Sequence, residues 1–63
     1  MTQKELSYVE DAIGHETNII KICQNIINSL SDQEIVSFIN QEIEKHEARK
    51  ERLMNILEVK TNE

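Results

Sequence analysis

Ser29-Leu30-Ser31-Asp32-Gln33-Glu34 interrupts a chain otherwise written for helix. Ser31 and Glu34 have the spacing of a capping box, in which the serine hydroxyl accepts from the Glu34 N–H and the Glu34 carboxylate accepts from the Ser31 N–H. Asp32 and Glu34 also place negative charge beside the positive end of a helix starting there. A second helix is therefore expected to begin at this corner. Elsewhere the usual breakers are missing, with no proline and Gly14 as the one glycine.

Outward from the corner, helix 1 is expected over about residues 3–29, a turn at about 30–31, and helix 2 over about 32–59, each roughly 40 Å long at 1.5 Å per residue. So short a link makes antiparallel neighbours, although one continuous helix kinked at Ser31 satisfies the same periodicity. Residues 61–63 are expected to fray. The expected fold is all-α, an antiparallel two-helix hairpin forming one domain over residues 1–63.

On a wheel of 100° per residue, Leu6, Val9, Ala12, Ile13, Ile19, Ile20, Cys23, Ile26, Ile27 and Leu30 share an arc of roughly 160°, which Tyr8 and Ile22 widen. Helix 2 gathers Ile35, Val36, Phe38, Ile39, Ile43, Leu53, Met54, Ile56 and Leu57. Arcs this broad suit a helix with two neighbours, so the hairpin is expected to dimerise into a four-helix bundle. Val9, Ile13, Ile20, Ile27, Ile39, Leu53 and Leu57 are the expected core and interface, and Phe38 and Met54 also read as core. Size points the same way. A chain of 63 residues is near the lower limit for a self-sufficient core, and its single cysteine, Cys23, closes no internal bridge and builds no thiolate metal cluster. Cys23 reads as a small buried apolar residue.

Both apolar faces carry a polar break at mid-length. Glu16 lies near the middle of the first arc; on helix 2, His46 stands between Ile43 and Leu53, with Glu42, Arg49 and Lys50 beside it. Counting outward from the corner sets Glu16 opposite His46, with Glu42 one turn nearer the loop. Two copies would bring four carboxylates and two imidazoles into one interior, and such charge needs a counter-charge there. In one reading Arg49, Lys45, Lys50 and protonated His46 supply it as an ion-pair network, with no cofactor. In the other, Glu16, Glu42 and His46 from both chains hold iron or manganese, as the carboxylates and Glu-x-x-His pairs of di-metal bundles do. The spacing here is Glu-x-x-x-His, with Ile43 at the position that motif gives to glutamate. Smaller features read plainly. His15 is a boundary residue beside Tyr8, Ile22 and Ile26, Glu10 is a solvated charge, and Gly14 is a local weakness of the helix or a place of close helix approach.

The formal charge of −5, from twelve acidic and seven basic residues, disfavours a phosphate backbone as partner. No apolar run is long enough for a membrane span, and the first residues lack the pattern of a signal peptide, so a cytoplasmic location is expected. Acidic residues dominate the first half of helix 1 while Lys45, Arg49, Lys50 and Arg52 cluster in helix 2, which favours the antiparallel arrangement. No serine–histidine–carboxylate grouping or glycine-rich phosphate loop suggests catalysis.

Leu6-Ser7-Tyr8-Val9-Glu10-Asp11-Ala12-Ile13-Gly14-His15-Glu16 resembles the opening helix of small spore-coat-protein-F-like and ferritin-like proteins of spore-forming bacteria, and Ser37-Phe38-Ile39 with His46 and Leu53 resembles their second helix. The resemblance implies a helical-bundle protein associated with the spore coat or with ferritin-like relatives, several of which lack a complete metal site. It departs at Glu47-Ala48-Arg49-Lys50-Glu51-Arg52, where that pattern is commonly rich in histidine and glutamine.

Overall fold

The computed structural model describes residues 1–62, which form two helices, α1 (Gln3–Ile27) and α2 (Gln33–Thr61), packed along their length as a hairpin. There is no strand among the described residues.

Helix α1 opens on a capping box of its own. Thr2 Oγ1 accepts from the Glu5 N–H at 3.0 Å, and Glu5 Oε1 accepts from the Thr2 N–H at 2.8 Å. Its signal, Thr-x-x-Glu, stands in the sequence at residues 2–5. The helix ends at Ile27, two residues earlier than expected, and tightens into a turn through Ser29 N–H to Ile26 O and Leu30 N–H to Ile27 O.

The cap of α2 is Asp32, one residue beyond the expected Ser31. Asp32 Oδ1 accepts from the N–H groups of Glu34 at 2.9 Å and Ile35 at 3.3 Å. The carboxylate satisfies two orphan donors and adds its charge to the dipole, which a serine hydroxyl cannot do. At the far end α2 runs on to Thr61 rather than stopping near 59, closed by Asn62 N–H to Glu58 O and by Thr61 Oγ1 to Leu57 O. Glu63 lies outside the described residues.

The helices meet along a seam spaced alternately by three and four residues. From α1 and the turn it takes Leu6, Val9, Ile13, Glu16, Ile20, Cys23, Ile27 and Leu30; from α2 it takes Val36, Ile39, Ile43, His46, Lys50, Leu53 and Leu57. Every one of these is buried or half-buried. This is the heptad repeat of a coiled coil, a narrower pattern than the broad arcs suggest. The expected core residues Val9, Ile13, Ile20, Ile27, Ile39, Leu53 and Leu57 all lie on it. Phe38 and Met54 do not, and they stand 59% and 50% exposed. Gly14 is exposed, and a β-carbon added there would meet nothing within 4 Å, so no close helix approach explains it.

One hairpin hides little. Only Ile43 and Glu16, each 8% exposed, are buried among the described residues. The accessible area of 4913 Å² exceeds the roughly 4,200 Å² of a compact monomer of this mass. The radius of gyration of 14.6 Å likewise exceeds the roughly 11 Å of a globular chain this long.

Two substitutions test this account in thermal melts followed by circular dichroism. Asp32→Ala should cost about 1 kcal/mol, whereas Ser31→Ala should stay within about 0.5 kcal/mol; equal losses would refute the assignment of the cap. Gly14→Ala should stabilise by about 0.5–1 kcal/mol, and a loss would mean that its face packs against something.

Candidate functional site

Helical phase carries Glu16 into the seam, and the two α2 residues that meet it, His46 and Arg49, are three apart and so share one face. His46 Nδ1 contacts Glu16 Oε2, and an Arg49 guanidinium N–H donates to Glu16 Oε1 at 3.4 Å. Each carboxylate oxygen thus has its own donor. The ionised carboxylate is an acceptor, so Nδ1 carries the proton in this contact. The Glu16 and His46 side chains are 10% and 16% exposed, while Arg49 reaches in from the surface.

The hydrogen bond from His46 holds the Glu16 carboxyl below its ordinary range. Burial opposes this, and the attraction of His46 and Arg49 adds to it. No buried side-chain nitrogen or oxygen among the described residues is left without a partner. The carboxylate is therefore fully compensated inside the hairpin, the condition under which buried charge is tolerated.

Of the three residues singled out as metal ligands, the fold brings Glu16 and His46 together and leaves Glu42 apart. Glu42 turns to Lys45, one turn along its own helix, with Oε1 3.4 Å from Nζ. No group of three histidine, cysteine, aspartate or glutamate side chains able to hold a metal ion occurs among the described residues. Glu10 is exposed, as a solvated charge would be, and neither it nor Asp11 forms an ion pair among the described residues. His15 is exposed.

A second feature lies beside the seam. On α1, Tyr8, Ala12, His15, Ile19, Ile22 and Ile26 repeat at alternating spacings of four and three, a second heptad strip on one flank. On α2, Ile35, Phe38, Glu42, Lys45, Arg49, Arg52, Ile56 and Val59 do the same. In an antiparallel pair these equivalent flanks fall on the same side, and Tyr8 and Ile56 line one shallow groove there. Seven of the nine large apolar residues left exposed belong to this face, which makes it a single surface rather than scattered residues. The opposite face is acidic, with Glu10, Glu44, Glu47, Glu51 and Glu58 against Lys21. Flank and seam together make up the broad arc on each helix wheel, and the spacing of the exposed residues is the signal that separates them.

Comparison with models of protein families, with curated proteins and with solved structures gave no match. No helix among the described residues is long and apolar enough to cross a membrane.

The Glu16 contact makes a prediction about acid. Because its carboxyl is depressed in the folded state, its contribution is complete above its ordinary value of 4.5 and is lost as pH falls through the lower folded-state value. Urea melts of Glu16→Gln should accordingly lose less stability between neutral and strongly acidic pH than the parent. Parallel losses in the two proteins would refute the assignment.

Proposed function

We propose that this chain is a non-enzymatic, self-associating helical protein with an assembly or interaction role, whose working unit is a homodimeric four-helix bundle. The observation that carries the reading is the second heptad strip. Seam and flank point roughly 110° apart around each helix at 100° per residue, close to the right angle at which a helix in a four-helix bundle meets its two neighbours. The whole chain measures 47 × 14 × 11 Å between Cα extremes, and the flank strips run along most of its length. The face would bury roughly 600 Å² per copy and more than 1,000 Å² in all, enough for a specific interface. Pairing would leave only the acidic faces outward, which explains why association would stop at two.

In such a bundle Glu16, Glu42, His46 and Arg49 would all turn toward the centre. Arg49, Lys45 and Arg52 from both chains outnumber the four carboxylates, so the polar layer is neutral enough without a metal ion. This favours the ion-pair layer over the alternative of an iron or manganese site shared by two chains. The likeness of residues 6–16 to coat-protein-F-like helices fits an assembly role and is what supports spore association.

Sedimentation of the 7.4 kDa chain should give twice that mass. Phe38→Asp should dissociate the dimer and lower its melting temperature, whereas Met54→Asp, on the opposite face, should do neither. A compact monomer with a cooperative melt would overturn the proposal. Ferrous iron or manganese should leave the melt unmoved and should not copurify; stabilisation by either would instead support the metal alternative, since a ligand that prefers the folded state must raise its stability. Glu16→Leu combined with His46→Leu should remain a helical dimer, because replacing both partners turns the ionic layer into an apolar one.

A further inference from the structure

Resting on the reading of the flank as a dimer face, we infer that two copies of this chain pack with their loops at opposite ends, about a two-fold axis that crosses the bundle at the height of Thr17 and Glu47. The juxtaposition behind it is the order of side chains along the flank strips.

On α2 the strip runs apolar, apolar, four charges, apolar, apolar, and it reads alike in both directions about Glu47. Laid antiparallel on itself, it sets Ile35 against Val59 of the second copy and Phe38 against Ile56 of the second copy. In the middle it sets Glu42 against Arg52 of the second copy, an opposite-charge pair that symmetry makes twice. Arg52 has no partner within its own hairpin among the described residues, so the pairing supplies one. Lys45 and Arg49 fall opposite each other, each already engaged, by Glu42 and Glu16 respectively.

The α1 strip gives the same answer independently. Laid antiparallel on itself about Thr17, it sets Tyr8 against Ile26, Ala12 against Ile22 and His15 against Ile19 of the second copy. The two centres must coincide if one axis is to generate both contacts. They do, because Glu16 touches both His46 and Arg49, which places Thr17 and Glu47 at about the same height in the hairpin.

The competing arrangement, loops at the same end, lays α1 on α2 of the second copy. It would press Ile22 onto Glu42, Ile19 onto Lys45 and Ala12 onto Arg52, leaving charges against apolar side chains with no compensation. An isologous interface chooses between these two axes, and the pattern selects the first.

Two measurements on the full chain test it. With Cys23→Ser and Ser29→Cys carrying a nitroxide, pulsed dipolar spectroscopy should give a separation of roughly 35 Å between copies, from the rise of 1.5 Å per residue on either side of the axis. A separation of about 15 Å or less, set by neighbouring helices, would overturn the orientation while leaving the dimer intact. A labelled chain with no dipolar signal that sediments as a monomer would instead remove the dimer itself. In the second test, Glu42→Arg and Arg52→Glu should each weaken the dimer roughly tenfold, and the double exchange should restore most of it. Additive losses in the double variant would refute the pairing of Glu42 with Arg52.

Discussion

One buried carboxylate sets the alignment of this hairpin. The seam is a heptad repeat of mostly aliphatic residues, and such a repeat tolerates sliding by a whole heptad because every apolar layer resembles the next. Glu16 removes that freedom. A slide of one heptad would bring Leu53 or Ile39 opposite it, stranding a charge in an apolar layer, whereas in the observed register His46 and Arg49 each serve one of its oxygens. Breaking the contact from either side would cost more than forming it gains, because the partner left behind would be buried and uncompensated. Specificity of alignment, rather than stability, is what the polar layer contributes.

The alignment then propagates outward. With Glu16 fixed against His46 and Arg49, the ends fall into place. Thr2 caps α1 near the last turns of α2, and Asp32 restarts the chain across a short turn. The flank strips are held in phase on the same side. Tyr8 comes beside Ile56 at the open end, while Ile22 and Ile26 lie with Ile35 and Phe38 toward the loop. A shift of the seam would misalign these strips and spoil the surface they form.

The energetic weakness of the isolated hairpin and the composition of its flank are two sides of one fact. A pair of helices offers each side chain a neighbour on one side only, so apolar residues outside the seam stay wet. Here seven of the nine large ones lie on one face, opposite a face of five glutamates. The charges in the middle of the apolar face oppose indiscriminate sticking, since only a partner that matches them can close over the ends.

Much of this was legible in the residues alone. The absence of proline, the polar corner near residue 31 and the broad apolar arcs are local signals, and local signals specify helices and a turn. The opposition of Glu16 and His46 followed from counting along two rods of known rise. The cap was misplaced by one residue because Ser31 and Asp32 are both good caps and the choice depends on backbone angles. Three things needed the tertiary structure. It resolved one wide arc into a buried seam and an exposed flank, because a wheel records direction but not which direction has a neighbour. It gave Arg49 to Glu16, because a long side chain reaching across to another helix finds its partner by distance and not by sequence spacing. Finally, it put the two flanks on one face, a consequence of antiparallel pairing that neither helix contains by itself.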